Sequence, residues 1–327
     1  MVLFSNKLLV LALAAGSVFA VPAAQAAAYP EHAIRVIVPF APGGSTDIVA
    51  RIVTQRMGQV LGQTMVVENR GGAGGAIGAT EAARAKPDGY TLSIATVSTM
   101  AVNSACRPHN LSYNPLTDFL PVTNFANVPN VIEVNPKFPA KDFKEFVAVL
   151  KKNPGKYSFG SSGTCGVLHL FGEAFKMATG TDIVHVPYKG SGPAVIDAVG
   201  GQIEILFDNM PSSMPQIQAG KLRALAIAWP ERLSALKDVP TLAEVGYPQL
   251  NQSAWYGLLA PKGTSVEIIN KLHDAAVAAL KDPTVIAALE KQGAKPSGNT
   301  PAEFAKEIKE QYDWAKDVVA KGHISLK

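Results

Sequence analysis

The sequence is short of the residues that metal and covalent chemistry draw on. Its only cysteines, Cys106 and Cys165, stand far apart without CxxC spacing, which excludes a zinc or iron–sulfur cluster. Six histidines are scattered at positions 32, 109, 169, 185, 273 and 323, with no i,i+4 pair to hold a metal. The nucleophile elbow GxSxG is missing, since Gly160-Ser161-Ser162-Gly163 has the wrong spacing. A glycine-rich run, Gly71 to Gly78, is broken for dinucleotide binding by Ile77 and is followed by no GK[ST]. No metal or other cofactor is therefore expected, and an enzyme is disfavoured. No lysine or arginine cluster tracks a phosphate backbone, because the formal charge of +4 is spread along the chain. Nucleic acid is thus not an expected partner. Beyond residue 28 no apolar run approaches the ~20 residues that span a bilayer.

What is present begins with a leader. Lys7 precedes the apolar run Leu8–Ala20, and Ala24-Gln25-Ala26 fits an A-x-A cleavage site. Cleavage is expected after Ala26, with Ala28 as the alternative, giving a periplasmic protein that is soluble once residues 1–26 are removed. A membrane anchor is the competing reading, against which the apolar run is short. No cysteine lies nearby to carry a lipid.

With 327 residues, 47% of them hydrophobic, the chain has length for two domains and a composition that excludes wholesale disorder, collagen and coiled coil. Strand-length apolar runs alternate with helical periodicity. Strands are expected at 34–38, 65–68, 90–95, 131–134, 157–160, 183–186, 203–207, 222–227 and 255–260. Helices are expected at 46–61, 142–152, 169–179, 194–199, 211–219, 266–280 and 302–319. This alternation is an α/β signature. Three loops rich in glycine and serine, 39–45, 161–166 and 188–193, each follow a strand and precede a helix. In open α/β sheets ligands sit beyond the carboxyl ends of strands, and helix starts favour anions. Converging, the three loops would hold a small anion; separately, they are ordinary turns.

Several segments, in this order, resemble the periplasmic receptors of tripartite tricarboxylate transporters, often called the Bug family of solute-binding proteins. They are Pro39-Phe40-Ala41-Pro42-Gly43-Gly44-Ser45-Thr46-Asp47, Glu68-Asn69-Arg70 with Gly74-Gly75, and Pro87-Asp88-Gly89-Tyr90-Thr91-Leu92. Ser161-Ser162-Gly163, Val186-Pro187-Tyr188-Lys189-Gly190, Phe207-Asp208-Asn209 and Val239-Pro240-Thr241-Leu242 follow. The resemblance covers essentially the whole mature chain. It implies an α/β, two-lobed periplasmic-binding-protein type II fold with a central ligand cleft, and delivery of an organic acid to integral-membrane permease subunits. Residues 27–126 with 250–327 are expected to form lobe one, and 127–249 lobe two. The crossings between lobes are expected near residues 123–130 and 247–255, and the proline-rich stretches 121–129 and 240–248 fit connectors.

By the same resemblance, Phe40, Ala41, Gly43, Gly44 and Ser45 line the cleft from lobe one. Asp47 either stabilises the helix start behind them or faces the ligand. Ser98 and Thr99, at a strand end, are expected hydroxyl donors. In lobe two, Ser161, Ser162, Gly163 and Thr164 open a helix and would hold a carboxyl. Asp208 either faces the cleft or caps the next helix. Arg70 and Lys189 are cations that are either surface charges or ligand partners. Cys165, Val167 and Leu168 imply a less polar wall, tilting the expected ligand towards a carboxylate or aromatic acid with an apolar body. A transport receptor, a sensor's ligand-presenting protein and a periplasmic enzyme on the same scaffold are the three functions to weigh. A monomer is expected, with both cysteines unpaired, since a bond between lobes would lock the hinge.

Overall fold

The computed structural model describes residues 29–321, so the leader expected at 1–26 lies outside the described residues. Two sheets organise the chain. The first holds β1 (Ile34–Val38), β2 (Met65–Asn69), β3 (Thr91–Thr96), β4 (Phe119–Val128), β10 (Ala254–Pro261) and β11 (Lys295–Pro296). The second holds β5 (Asn130–Val134), β6 (Ser158–Ser161), β7 (Val184–Pro187), β8 (Ile205–Asn209) and β9 (Arg223–Ala228). Their plans match. In each, three parallel strands run in the spatial order second, first, third, and an antiparallel strand follows: β2-β1-β3-β10-β4 in one, β7-β6-β8-β5-β9 in the other.

Helices α1 (Ser45–Leu61), α2 (Ala76–Ala83), α8 (Val266–Leu280), α9 (Pro283–Lys291) and α10 (Pro301–Lys321) belong to the first sheet's half, with the four-residue α3 (Asn103–Cys106). The second half carries α4 (Phe143–Lys152), α5 (Val167–Thr179), α6 (Ser191–Gly200) and α7 (Met210–Gln218). In α1 the apolar stripe seats Val49, Val53 and Met57 in the core, and left-handed Gly62 ends it. Val60, expected on that stripe, is exposed. The first core is mainly aliphatic, while the second is built around Phe138, Phe143, Phe146, Phe159, Phe175 and Phe207.

The chain changes sheet at Pro129, the single residue between β4 and β5. The stretch 121–129, expected to connect, is thus mostly strand. Pro121 is tolerated within it at a register shift, where the ladder is already irregular. The second expected connector, 240–248, packs on the second sheet instead. Thr241 bridges Ile227, and Leu242 is fully buried in the phenylalanine core. The return crossing comes after it, and Asn130 Nδ2 donates to the Gln252 carbonyl at 2.6 Å, clasping the two crossings together.

Candidate functional site

The carboxyl ends of β1, β3, β6, β7 and β8 meet between the sheets. The cleft there is lined by Phe40, Gly44, Ser45, Thr46, Thr96, Val97, Ser98, Ser162, Val167, Ser191, Asn209, Ala254 and Tyr256. Seven of these carry hydroxyls and one an amide; none is charged. The starts of α1, α5 and α6 all reach this space, so their unpaired N–H groups add positive partial charge. A carboxylate suits such a lining without a full positive charge.

The two halves are drawn together. Ala41 N–H donates to the Lys189 carbonyl at 3.0 Å. Val167 N–H donates to Ser98 Oγ at 2.9 Å. Ser45 Oγ donates to the Asn209 carbonyl at 2.9 Å and accepts from Ser212 N–H at 2.9 Å. Tyr256 Oη donates to Asn209 Oδ1 at 2.7 Å. Glycines make this closeness possible. A Cβ on Gly192 would strike the Pro42 carbonyl, and one on Gly71 would lie 2.6 Å from the Lys189 carbonyl oxygen. In this closed arrangement about 10 Å³ is left in the cleft, room for about one water.

Of the expected site residues, Phe40, Gly44, Ser45, Ser98 and Ser162 line the cleft, and the Ser162 hydroxyl has no partner among the described residues. The others do not. Ala41 spends its N–H on Lys189, and Gly43 is exposed and donates to Asp47 Oδ2 at 3.0 Å. Asp47 is buried behind the loop, where Arg51, Gly43 and Asn69 saturate it. Burial pushes its pKa up, but those hydrogen bonds outweigh it and hold the carboxyl below its ordinary value. Thr99 turns its hydroxyl to Thr96. Ser161 Oγ sits 2.7 Å from His185 Nε2. Gly163 and Thr164 pack against Gly74 of the opposite half. Arg70 is exposed and pairs with Glu68 and Glu81, and the Lys189 side chain points to solvent. Of the three residues expected to make the wall less polar, only Val167 lines it; Leu168 and Cys165 are core residues.

Asp208 lies behind the cleft floor, fully buried, with Ser212 Oγ at 2.5 Å and Ser213 Oγ at 2.9 Å from its Oδ2. Ser213 Oγ is also 2.5 Å from Oε1 of the buried Glu133. A serine hydroxyl has one proton to give, so one of the two carboxyls must itself donate to Ser213. Burial, and then the Asp208 charge, push the Glu133 pKa well up, and only Ser213 opposes them. Burial raises the Asp208 carboxyl as well, but Ser191, Ser212, Asn209 N–H and Ser213 oppose it, so Asp208 is the better supplied of the two. Glu133 therefore carries the proton and Asp208 the charge. A second pair, the buried His169 and the half-buried His185, stacks with ring centroids 3.8 Å apart. His169 Nδ1 accepts from Cys165 N–H at 3.2 Å. Burial pulls the two imidazoles down to about 4 and about 3, so both are neutral.

The cysteines correct the expectation that they stay unpaired. Cys106 and Cys165 form a disulfide with Cα atoms 5.8 Å apart. Closure brings the end of the turn after β3 against the β6–α5 loop, and a separation of 59 residues in sequence concealed it. Sequence reasoning also missed Thr46, Thr96, Val97, Asn209, Ala254 and Tyr256, and reached Ser191 only as part of the 188–193 loop. Asn209 ends β8, and Ser191 opens the helix after β7 much as Ser98 opens the turn after β3, a positional signal that was available. Ala254 and Tyr256 come from β10, whose approach depends on the return crossing and leaves no local mark.

Comparison with known proteins agrees with this geometry. A solved structure described as a periplasmic transporter is 78% identical, with a TM-score of 0.91 over 92% of this chain and 100% of its own. MatC from Rhodopseudomonas palustris, solved with bound malate, is 35% identical with a TM-score of 0.85 over 89% of this chain and 100% of its own. An R. palustris protein solved with adipate is 33% identical, with a TM-score of 0.86 over 89% and 97%. Residues 49–323 match the family described as the tripartite tricarboxylate transporter family receptor. The paired α/β lobes, the cleft between them and this match together make the chain a member of the tripartite tricarboxylate transporter receptor family, whose members are periplasmic solute-binding proteins.

Proposed function

We propose that this receptor is exported by the leader at residues 1–26, captures a small organic acid in the periplasm and delivers it to integral-membrane permease subunits. One observation carries the reading: the cleft offers hydroxyls, an amide and helix N-termini, with no charged side chain on its wall. Such a lining pairs with a carboxylate through neutral hydrogen bonds. The relatives solved with malate and adipate support a carboxylate ligand. A disulfide supports an oxidising compartment, since cytosolic thiols are kept reduced.

The moving bodies are the half built on the first sheet, close to residues 27–126 with 250–327 but keeping all of β4, and the half built on the second, turning about the clasped crossings at Pro129 and Gln252. Phe40, Gly44, Ser45, Ser98 and Ser162 contact the solute in this reading, joined by Ser191 and Tyr256. Closure around ligand is a familiar response of periplasmic binding proteins. The test is calorimetry and thermal shift on the mature chain with malate, adipate and aromatic acids. Native-state binding adds about 2.7 kcal/mol of stability at a hundredfold excess over Kd. No shift with any acid would refute the carboxylate reading. Uptake that persists after the permease genes are deleted would refute delivery.

A further inference from the structure

The disulfide stands at an unusual place for a stabilising crosslink. Cys106 ends α3, reached from β3 through the π turn Ser98–Val102, in the first half of the molecule. Cys165 lies in the β6–α5 loop of the second half. Between them and the cleft lies the contact of Ser98 Oγ with Val167 N–H, two residues from Cys165. The covalent link between lobes is thus beside the solute site, on its Ser98–Val167 side. The two chain crossings attach on the Asn209–Tyr256 side, where Asn130, itself bonded to Gln252, accepts from Asn209. The lobes are tethered at both edges of the cleft.

This double tether changes what opening means. The other closing contacts are ordinary hydrogen bonds, which exchange for water at little net cost. The disulfide has no such exchange, and its Cα atoms cannot separate beyond about 7 Å. A full hinge opening needs the β6–α5 loop to leave the turn after β3, so the bond forbids it. Cys165 also holds a backbone φ of 63°, a left-handed conformation uncommon for a non-glycine residue. Non-glycine residues in this region cluster at functional switches. Cys165 is buried and Cys106 half-buried, so an incoming thiolate approaches from the Cys106 side.

We propose that Cys106–Cys165 is a redox latch on the cleft: oxidised, it holds the lobes together at the Ser98–Val167 edge, and reduced, it lets them part. The reductant is a dithiol. Its thiolate attacks one sulfur, a mixed disulfide forms, and its second thiol displaces the protein thiolate. Two electrons and two protons pass to Cys106 and Cys165, which become thiols, while the dithiol becomes a disulfide. The latch rests on the receptor reading above, because its role is to govern solute exchange.

The experiment needs no solute. Small-angle scattering and amide hydrogen exchange are measured on the unliganded mature chain, air-oxidised, reduced with dithiothreitol, and as the double variant Cys106→Ser, Cys165→Ser. Reduction and the double variant should each raise the radius of gyration and speed exchange at the Val167 amide at least tenfold. Dithiothreitol should leave the variant unchanged. An oxidised protein as open as the reduced one would overturn the latch, as would two free thiols titrated in the oxidised, unfolded chain. If the variant does not fold, the reduced wild-type protein still decides. Opening on reduction without binding of any carboxylate would sink the solute reading and leave the latch standing.

Discussion

Ser162 and Lys189 were both candidates to hold an anion, and their surroundings separate them. Ser162 presents an unpartnered hydroxyl inside the cleft, whereas Lys189 contributes only its backbone carbonyl and sends its side chain to solvent. Ser162→Ala should weaken binding by about 0.5–1.5 kcal/mol, the range for a neutral hydrogen bond. Lys189→Ala should leave affinity within about 0.5 kcal/mol, as for an ordinary surface change. Gly44→Val acts differently. A Cβ there would lie 3.2 Å from Gly192 N and 3.3 Å from Ser191 Cβ, so valine blocks the opposite lobe rather than the solute. Overpacking of that kind costs about 1–3 kcal/mol, so Gly44→Val should weaken binding more than Ser162→Ala. Calorimetry on the three variants with malate or adipate, whichever binds, ranks them. A Lys189 variant that alone abolishes binding would mean the pocket is elsewhere.

At the scale of elements, the crossings decide whether two sheets behave as one machine. Asn130 Nδ2 reaches Gln252 on the return crossing, and its Oδ1 accepts from Asn209 on the cleft floor at 2.5 Å. Asn130→Ala strands a buried amide and a carbonyl, costing about 1–3 kcal/mol. In urea the midpoint should fall with the slope unchanged, because the surface exposed on unfolding is the same. An unchanged midpoint would mean the clasp is idle. These crossings were the part of the fold least legible in sequence. Strands such as 34–38 and 131–134 announce themselves because buried parallel or central strands are near-continuous apolar runs, here broken only by Arg35 and Glu133. β4 does not, since Thr123 and Asn124 are buried within it and donate to Asn299 and Glu307 from distant parts of the chain. Helix α2 hides behind small residues, with Gly78 packed on Pro39, and the nine-residue α9 is nearly lost between α8 and β11. In the site, strand ends rich in serine were readable, but which hydroxyl faces inward was not. Thr99 and Ser161 sit beside Ser98 and Ser162 and turn away, and side-chain period alone does not fix that at a loop.

For the whole molecule, buried ionisable groups set how stability varies with pH. Glu133 titrates in the folded state well above its ordinary 4.5. Between 4.5 and that higher value the folded chain holds a proton the unfolded chain has lost, so stability falls as pH rises, by about 1.4 kcal/mol per unit. His169 and His185 act in the opposite sense. Their folded values, about 4 and about 3, lie below the ordinary 6.5, so the unfolded chain binds more protons there and stability falls as pH drops below 6.5. Above 6.5 the histidines are neutral in both states and only the Glu133 trend remains of the two. Glu133→Gln isolates it, because an amide N–H can donate to Ser213 as the carboxylic acid does, whatever the pH. Urea unfolding from pH 4.5 upward should show the wild-type protein losing stability relative to the variant as pH rises, until Glu133 itself ionises in the folded state. Near pH 4 the two should be close to equal. A difference that stays constant from pH 4 to 9 would show that Glu133 does not carry the proton, and that the Ser213 bridge is wired the other way.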